Sequence, residues 1–575
     1  MIQNAAAREW LHFQDPERVI ETSRPEEVMP KLCLIEMLVS TQGLFAAGFL
    51  SYEAASAFDA ALEVRPPNGF PLLWFGIYKK PKVHRICPSF PNSNYRLCGW
   101  IPSIDRAGYN RALGQIREHL ENGETYQVNY TFRLRTPFSG SAWTFFRELI
   151  RTQQADYAAY VDTGRFAVCS ASPELFFRLD GRQLTTRPMK GTAPRGRFLA
   201  EDEARAEGLH HSEKDRAENI MILDMIRNDL GRIAKAGSIR VPHLFDVERY
   251  PTLWQMTSTV TAEIHTSFCE IMAALFPCAS ITGAPKVNTM KIIADLEADP
   301  RRVYTGCIGF FPPGRQAQFN VAIRTVLVDR AEGRAEYGVG SGIVWDSVTG
   351  DEYAECRLKA QVLTERRPDF SLLETMLWRP NKGYFLLARH LRRLRESADY
   401  FGFPVKMGRI REKLSELASS LPRKPCKVRL LVTADGTVSV QATPVDRGLA
   451  PRLVRLRLAP SAVDPVNPFL YHKTTCRQVY DVARATFSDC DDVLLWKDRG
   501  EITETTIANV IVELEDGILV TPPVSSGLLP GTLRARLLER DTVREKVVTL
   551  AMLKQSKHVY LVNSVYQWRE AVLLW

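Results

Sequence analysis

The sequence predicts an α/β protein, of the α+β kind, that is divided into two domains. Its 575 residues exceed what one hydrophobic core usually organises. A charged, proline-containing stretch at residues 364–369, TERRPD, lies between two segments of regular apolar spacing, which is typical of a domain boundary. We therefore expect one domain over residues 1–365 and another over residues 370–575.

The elements on either side of that boundary differ in kind. In the first domain strands alternate with long helices, and apolar spacing predicts one helix over Ala204–Leu230 and another over Glu352–Gln361. The second domain begins with a short α/β stretch. It continues with strand-rich runs at Lys427–Ala442 and Ile507–Val520.

The composition is that of an ordinary globular protein, with 45% apolar and 25% charged residues. No apolar run reaches the ~18–20 residues of a membrane span, and the N-terminal stretch lacks an apolar signal core, so we expect a cytoplasmic protein with no membrane partner. The 11 cysteines are scattered without a CxxC pair, which favours reduced thiols over disulfides or a zinc site. The net charge of +9 is spread along the chain. Because no basic cluster is interleaved with aromatic residues, we expect no nucleic-acid binding.

Four motifs follow one another in the first domain. They are SASPELFF at Ser170–Phe177 with PMKGT at Pro188–Thr192, ENIMILDMIRNDLGR at Glu218–Arg232, SITGAPK at Ser280–Lys286, and GVGSGIVWDSVTGDEYAECRLK at Gly338–Lys359. Lys190 stands between Pro188 and Gly191, which suits a tight turn that presents one side chain. Taken alone, such a lysine is usually a solvated surface residue.

The later motifs combine anion-binding backbone with carboxylates. Small residues in SITGAPK, followed by a helix, and the glycines Gly338, Gly340 and Gly342 let backbone N–H groups approach an anion. Glu352 and Glu355 are three residues apart and so share one helix face. Together with Glu218 they would form an oxygen site for Mg²⁺, a metal that keeps room for substrate oxygens.

In this order the motifs resemble the chorismate-utilising enzymes, which include the anthranilate, isochorismate, salicylate and aminodeoxychorismate synthases. The resemblance implies two stacked antiparallel sheets with surrounding helices. It also implies that Glu218, Glu355 and Glu352 hold Mg²⁺ against the ring carboxylate of chorismate, and that Tyr304 and Arg324 contact the enolpyruvyl carboxylate. The remaining substrate contacts implied are backbone groups of Thr282, Gly283, Ser341 and Gly342, and the side chain of Lys359.

Lys190 distinguishes between members of that family. Anthranilate synthases resemble this segment but have alanine at this position, whereas aminodeoxychorismate synthases have lysine. A desolvated amine at Lys190 would attack chorismate C2 as the C4 hydroxyl leaves, and ammonia would then attack C4 and expel the lysine. Glu174 resembles the general acid/base that protonates the departing hydroxyl. Gln127 stands where water-using relatives have a lysine base, which argues against isochorismate or salicylate formation.

Two further features bear on the reaction. Gln255 stands where many relatives have a histidine that anthranilate synthases use in later proton transfer and pyruvate loss. Its presence fits an enzyme that stops at the aminated, non-aromatic product. No segment reads as a glutamine-hydrolysing domain, so we expect ammonia from solution or from a separate glutamine amidotransferase subunit.

The second domain has its own motifs. They are the basic amphipathic segment RHLRRLRESADYFG at Arg389–Gly402, YHKTTCRQVY around Lys473, EITETTIANV at Glu501–Val510, and the turn Leu529–Thr532 that leads into a helix. Taken alone, the first is typical of a solvated helix face and Lys473 of an ordinary lysine. The free N–H groups after the turn could bind a phosphate.

In this order these motifs resemble the fold-type IV pyridoxal-phosphate enzymes, which include branched-chain and D-amino-acid aminotransferases and aminodeoxychorismate lyase. The resemblance implies that Lys473 holds pyridoxal 5'-phosphate covalently and later acts as acid/base. Glu504 would keep the pyridine nitrogen protonated. Arg393 and the backbone of Thr532 and Leu533 would hold the phosphate. Aminotransferases often have Ile-Thr after the glycine of that turn where this chain has Thr-Leu, so the hydroxyl would be placed differently.

The fold cannot choose between an aminotransferase and a lyase, but the neighbouring domain favours the lyase. The leading hypothesis is therefore a bifunctional enzyme that aminates chorismate and then eliminates pyruvate to give 4-aminobenzoate on the folate branch. The alternative is an anthranilate-synthase-like enzyme fused to an amino-acid aminotransferase. A non-catalytic module is disfavoured by the joint presence of the residues named above. A homodimer formed through the second domain is compatible with either hypothesis.

Overall fold

The computed structural model describes residues 1–88, 94–365, 368–445 and 453–575. Arg366 and Arg367, which belong to the expected domain boundary, lie outside the described residues. The chain divides into two compact units. The first comprises Met1–Arg195 and Arg205–Arg367, and the second comprises Gly196–Ala204 and Pro368–Trp575.

The strands up to residue 365 are β1 (Ile2–Asn4), β2 (Glu9–His12), β3 (Arg18–Thr22), β4 (Phe45–Leu50), β5 (Leu73–Tyr78), β6 (Lys82–His84), β7 (Tyr95–Leu97), β8 (Ile101–Pro102), β9 (Gln127–Gly140), β10 (Tyr157–Asp162), β11 (Phe166–Ser172), β12 (Leu175–Asp180), β13 (Gln183–Arg187), β14 (Met189–Pro194), β15 (Arg240–Arg249), β16 (Leu253–Glu263), β17 (Gly283–Ala284), β18 (Cys307–Phe311), β19 (Gln316–Val321), β20 (Thr325–Asp329) and β21 (Arg334–Ile343). The helices are α1 (Pro25–Gln42), α2 (Arg106–Glu121), α3 (Ala142–Gln153), α4 (Leu199–His211), α5 (Glu213–Gly231), α6 (Phe268–Leu275), α7 (Lys286–Leu296) and α8 (Thr349–Ala360).

Two large antiparallel sheets form the first unit. One has the order β17-β9-β21-β20-β11-β10-β1-β2-β6, with β7 and β8 on β9, and the other has the order β14-β16-β13-β12-β19-β18-β4-β5-β3, with β15 on β16. One apolar core joins inward residues of both sheets, such as Val168 and Phe49. Separate cores lie where α1, α5 and α6 cover one sheet and where α2, α3 and α7 cover the other. The predicted stacked-sheet fold with surrounding helices is confirmed.

The long helix predicted over Ala204–Leu230 is wrong in one respect, because two helices occupy this region. The chain leaves α4 at His211 and starts α5 at Glu213. Ser212 lies between them with extended backbone, and its hydroxyl accepts a hydrogen bond from the Asp215 N–H. This cap satisfies a donor that a helix start leaves free. As a result Glu218 lies in the second turn of α5 rather than in the middle of one long helix.

The second unit contains the strands β22 (Leu372–Arg379), β23 (Gly383–Tyr384), β24 (Cys426–Val432), β25 (Val438–Pro444), β26 (Val454–Leu458), β27 (Asp492–Lys497), β28 (Glu501–Thr505), β29 (Asn509–Glu513), β30 (Leu519–Thr521), β31 (Arg544–Glu545), β32 (His558–Asn563) and β33 (Gln567–Leu573). Its helices are α9 (Leu387–Phe401), α10 (Met407–Ser420), α11 (Gln478–Ala485), α12 (Thr532–Glu539) and α13 (Leu550–Lys554).

Two smaller sheets organise the second unit. The sheet β23-β22-β24-β25 is antiparallel and packs against α9 and α10 through one apolar core. The sheet β28-β27-β26-β33-β32-β29-β30-β31 is mixed, because β26 runs parallel to both β27 and β33. The predicted helix after the turn Leu529–Thr532 is present as α12.

Residues Gly196–Ala204 pack with the second unit although they lie in the sequence of the first. The Phe198 ring lies 5.6 Å from that of Tyr471, and the Gly196 carbonyl accepts a 2.7 Å hydrogen bond from Tyr400. None of the described helices is both long and apolar enough to cross a membrane. The cysteines of the described residues are all unpaired.

Candidate active sites

A cavity of about 110 Å³ in the first unit brings most of the predicted chorismate-site residues together. Its wall includes the predicted residues Glu174, Lys190, Glu218, Tyr304, Arg324, Gly342, Glu352, Glu355 and Lys359. Thr282, Gly283 and Ser341 are not in the wall. Thr282 and Ser341 are each adjacent in sequence to a residue of the wall, and Gly283 lies two residues from one. The Thr282 hydroxyl donates to the carbonyls of Cys278 and Ala279.

Lys190 lies on a β-bulge rather than on the tight turn that the sequence suggested. Met189 pairs with Thr257 and Thr192 with Gln255, so β14 has one residue more than β16 over this interval. Gly191 takes a φ of 95°, a conformation that glycine adopts without steric cost. A bulge turns a side chain away from the regular strand alternation, and here it directs Lys190 into the cavity.

Two buried groups in this cavity have pKa values shifted away from their ordinary ionisation states. Burial lowers the pKa of Lys190, although Glu218 opposes the shift. Burial raises the pKa of Glu174 to about 7, against the effect of a 2.6 Å hydrogen bond from the Ser280 hydroxyl. Near neutral pH a larger share of Lys190 is therefore an uncharged amine, and a larger share of Glu174 is a protonated acid. Such a pair suits nucleophilic attack coupled to protonation of a leaving group.

Three carboxylates occupy one side of the cavity. Burial raises the pKa of Glu218 to about 7, and the charges of Glu355 and Glu352 add to this rise. Burial alone would raise the pKa of Glu355, but neighbouring Lys359 holds it below its ordinary value. The Glu352 carboxylate accepts from Ser347 at 2.7 Å and lies 3.5 Å from the Lys214 ammonium.

These residues fit a divalent cation whose coordination shell is completed by substrate oxygens. No group of three or more His, Cys, Asp or Glu side chains among the described residues is arranged to hold a metal by itself. The mutual repulsion between the carboxylates of Glu218, Glu352 and Glu355 would be relieved by a cation. Mg²⁺ needs only one or two protein carboxylates when substrate and water oxygens supply the rest.

The glycines of β21 make room for close neighbours. A Cβ on Gly338 would lie 2.2 Å from the Tyr304 ring, so this glycine lets the tyrosine reach the cavity. A Cβ on Gly342 would lie 2.6 Å from both the Lys190 ammonium nitrogen and the Gln127 amide nitrogen. That Gln127 nitrogen in turn donates to Glu218 at 3.4 Å. The structure thus places Gln127 beside the proposed nucleophile.

Gln255 holds the strand that bears Lys190. Its amide nitrogen donates to the Gly191 carbonyl at 2.7 Å, and its amide oxygen accepts from the Thr192 hydroxyl at 3.3 Å. These two bonds fix the Gln255 side chain against β14. Lys214 and Ser280 also line the cavity, and neither was identified from the sequence as a site residue. The serine of SITGAPK was visible as a motif residue, but its bond to Glu174 spans 106 positions.

A second cavity, of about 310 Å³, lies in the second unit and contains the residues predicted for pyridoxal phosphate. Its wall includes Arg393, Lys473, Glu504, Thr532 and Leu533. Burial lowers the pKa of Lys473 to about 8, and Arg393 adds to this effect. A larger fraction of this lysine is therefore the free amine that can react with an aldehyde.

Glu504 is held by three donors. Its carboxylate accepts from the Tyr480 hydroxyl at 2.8 Å, from the Leu529 N–H at 3.1 Å and from the Asn509 amide at 3.1 Å. Burial nevertheless raises its pKa to about 7. A buried carboxyl with this pKa can share a proton with a pyridine nitrogen.

The turn before α12 fits a phosphate. A Cβ on Gly531 would lie 1.8 Å from the Asn509 side-chain oxygen, so only glycine allows the chain to approach here. The Arg393 guanidinium pairs with Glu374 at 2.9 and 2.8 Å and donates to the Pro530 carbonyl at 3.0 Å, which fixes it beside the turn. The Thr532 hydroxyl lies 3.3 Å from His390 Nε2. These residues fit the cofactor predicted from the sequence.

Comparisons with known proteins assign a family to each part of the chain. Residues 82–365 match the family model described as chorismate binding enzyme, and residues 371–573 match that described as amino-transferase class IV. The chain is 42% identical over 262 residues to an aminodeoxychorismate synthase of Streptomyces griseus, which covers 45% of this chain and 36% of that protein. For the first five curated relatives, the share of their length that is covered ranges from 36% to 59%.

Two further relatives extend the match. The chain is 32% identical over 346 residues to anthranilate synthase component 1 of Methanothermobacter thermautotrophicus, covering 55% of this chain and 72% of that one. The crystal structure of anthranilate synthase component I from Streptococcus pneumoniae superposes with a TM-score of 0.53 at 24% identity, over 62% of this chain and 92% of that one, and shows the shared fold. A class IV amino-transferase domain indicates that the cofactor of the second unit is pyridoxal phosphate. The chain therefore belongs to the chorismate binding enzymes and continues into a class IV amino-transferase domain.

Proposed function

We propose that the first unit aminates chorismate to 4-amino-4-deoxychorismate and that the second eliminates pyruvate from this product to give 4-aminobenzoate. The observation that supports this most directly is the presence of Lys190 and Glu174 in one cavity, with opposite shifts of their pKa values. An uncharged amine and a protonated carboxyl are the forms that displacement of a hydroxyl requires. The similar synthases from several organisms support the same reaction.

In the first step the Lys190 amine forms a bond to C2 of chorismate. The two conjugated ring double bonds each shift by one position, the C4–O bond breaks, and Glu174 gives its proton to the departing hydroxyl, which leaves as water. Ammonia then attacks C4, both double bonds shift back, and the C2–N bond breaks to expel the Lys190 amine. Glu174, now a carboxylate, can take up a proton from the incoming nitrogen.

Several residues would hold the substrate during these steps. Tyr304, Arg324 and Lys359 lie in the wall where they can meet the enolpyruvyl and ring carboxylates. The carboxylates of Glu218, Glu352 and Glu355 would hold Mg²⁺. The metal would supply positive charge opposite a substrate carboxylate. A separate glutamine amidotransferase would supply ammonia in the cell.

In the second unit, bound pyridoxal phosphate would supply an electron sink next to the substrate amine. Lys473 removes the proton from the ring carbon that bears the amine. The C–O bond to the enolpyruvyl group then breaks, and the released enol gains a proton to become pyruvate. Glu504 keeps a proton at the cofactor's pyridine nitrogen, and Arg393 with the start of α12 holds the phosphate. Formation of an aromatic ring drives the reaction.

The test supplies chorismate, ammonia, Mg²⁺ and pyridoxal phosphate to the purified protein and measures products by chromatography. We expect 4-aminobenzoate and pyruvate in equal amounts. Lys190→Ala should abolish amination but leave conversion of supplied 4-amino-4-deoxychorismate intact. Anthranilate as the main product, with glutamate or leucine accepted as amino donor by the second unit, would establish the alternative of a fused aminotransferase.

A further inference from the structure

Lys214 lines the wall of the first cavity but takes no part in the reaction proposed above. It is the second residue of α5, and its ammonium lies 3.5 Å from the Glu352 carboxylate on α8. Residues four apart share a helix face, so Lys214 lies on the same side of α5 as Glu218, one turn further along. A cation on one proposed ligand-bearing helix thus contacts a proposed metal ligand on the other.

The start of a helix is an unfavourable place for a lysine. Free backbone N–H groups make this end of the helix positive, and Glu213 and Asp215 in the same turn are acids that suit it. The order of charges toward Glu218 is unfavourable as well, because an i,i+4 ion pair is more stable when the acid precedes the base. Local helix structure therefore does not account for a cation at position 214, whereas the carboxylate across the cavity does.

The charge of Lys214 acts on more than one carboxylate. Burial would lower the pKa of this lysine, but Glu352 and Glu218 hold it above its ordinary value, so the side chain is an ammonium at neutral pH. Burial raises the pKa of Glu218, and Lys190 and Lys214 together oppose that rise. Without a metal, Lys214 therefore supplies part of the positive charge that Mg²⁺ would bring to the cluster.

Lys214 and Lys359 are held to these carboxylates in different ways. Lys359 pairs with Glu355, four residues before it on α8, and donates to the Gly340 carbonyl at 3.0 Å. Its side chain is 22% exposed, whereas that of Lys214 is 46% exposed. A half-exposed ammonium on a flexible four-carbon stem loses little when it moves into water. Lys214 is therefore the cation that can leave when a metal ion arrives.

We propose that Lys214 is a displaceable counter-ion of the metal site. In the metal-free protein its ammonium neutralises the carboxylates of Glu218 and Glu352, and it moves from Glu352 into solvent when Mg²⁺ binds. The inference rests on the proposed function, which makes these carboxylates the ligands of Mg²⁺. Because a dication and an ammonium at one carboxylate repel each other, the cost of moving Lys214 lowers the affinity for the metal. Lys214 thus sets the Mg²⁺ concentration at which the first unit is loaded.

The first test measures metal binding to the full-length, pyridoxal-phosphate-loaded protein without chorismate. Mn²⁺ is the probe, since it takes the same oxygen ligands and its paramagnetic resonance signal is lost on binding, and Mg²⁺ is added as competitor. Lys214→Gln should lower the dissociation constants of both ions about fivefold at low ionic strength. The difference should shrink at high salt, because salt screens an exposed pair.

Lys291→Gln is the matched control for this measurement. Lys291 also lies on a helix of the first unit, pairs with a carboxylate (Glu63, at 3.4 Å) and is 47% exposed, but it is not in the cavity wall. Its replacement should leave both dissociation constants unchanged. If Lys214→Gln binds the two ions no more tightly than the wild type does, the proposal is overturned.

The second test follows the displacement itself in the wild-type protein. A water-soluble acylating reagent modifies lysine amines that reach solvent, and mass spectrometry of peptides gives the rate at each lysine. Saturating Mg²⁺ should raise the rate at Lys214 about threefold or more, because the amine loses its carboxylate neighbour and becomes more exposed. Lys291 should react at an unchanged rate. A constant or lower rate at Lys214 would show that its ammonium stays in place, which also overturns the proposal.

These readouts separate the inference from the proposed reaction. Neither test contains chorismate or ammonia, so neither depends on amination. If 4-aminobenzoate forms as proposed but Lys214 is not displaced, the reaction stands and the role of Lys214 is wrong. If Lys214 behaves as expected in both tests but no aminated product forms, the counter-ion stands and the amination reaction is wrong.

Discussion

The Ser280 hydroxyl donates a 2.6 Å hydrogen bond to the Glu174 carboxylate. The two residues come from different motifs, SASPELFF and SITGAPK, and both are buried. The bond stabilises the charged form of Glu174 and so opposes the rise in pKa that burial causes. Ser280 thereby lowers the pKa of the acid that the proposed amination requires, and it does so without carrying a charge itself.

Ser280→Ala should therefore move the pH dependence of amination upward. Glu174 acts as an acid in its protonated form, which is lost as pH rises through its pKa of about 7. Removing a bond to the carboxylate raises that pKa, by roughly one pH unit if the bond contributes ~1.5 kcal/mol. The descending limb of kcat/KM, measured at constant free ammonia and saturating Mg²⁺, should shift to higher pH. Ser280→Thr keeps the hydroxyl and should restore the wild-type profile, and an unshifted limb in Ser280→Ala would contradict this role.

Gly342→Ala should impair amination more than it impairs folding. The added methyl would lie 2.6 Å from the Lys190 and Gln127 side-chain nitrogens. Because both are ends of flexible side chains, the protein can yield, but the nucleophile moves. Displacement by about 1 Å can reduce a rate ~100-fold. Initial-rate assays should show that loss alongside an unchanged melting curve. Gly350→Ala, where the new methyl meets nothing within 4 Å, should keep full activity.

Lys473→Ala should stop the second reaction and leave the first. The aminated intermediate should accumulate and 4-aminobenzoate should fall to background, because the proposed proton acceptor is gone. The protein should also lose the visible absorbance of a cofactor bound to lysine. Chromatography of the reaction mixture and an absorption spectrum measure the two effects. Lys557→Ala, on the surface of the same unit, should behave like the wild type. Normal 4-aminobenzoate formation by Lys473→Ala would show that this site has been misassigned.

Glu297→Ala should destabilise the first unit strongly. The Glu297 carboxylate binds Arg301 at 3.0 and 2.6 Å and accepts from the Thr131 N–H at 2.9 Å, all in the buried core. Removing one partner of a buried ion pair typically costs about 3–5 kcal/mol, because the other charge stays buried and unpaired. Chemical denaturation followed by circular dichroism should show this loss. Glu332→Ala, whose ion pairs are exposed, should cost less than about 1 kcal/mol.

Local patterns predicted more of this molecule than long-range ones did. Apolar spacing identified α8, α9 and the helix after the turn at Leu529–Thr532, because helical periodicity repeats within a few residues. The break at Ser212 was missed, although a serine followed three residues later by an acid, Asp215, is a local signal of a helix start. The bulge at Lys190 could not be predicted from local sequence, because it depends on pairing with β16, more than 60 residues away.

The assignment of Gly196–Ala204 to the second unit has a consequence for dissecting the chain. A fragment that starts at Pro368 would contain every residue proposed for the second reaction, yet it would lack part of its own compact unit. Tyr471, two residues before Lys473, would lose the Phe198 ring and the Arg197 guanidinium that donates to its hydroxyl at 3.2 Å. An isolated second domain made by cutting at the sequence boundary would therefore have an exposed apolar surface close to Lys473 in the sequence. Adding a peptide with the sequence of residues 196–204 should restore order there.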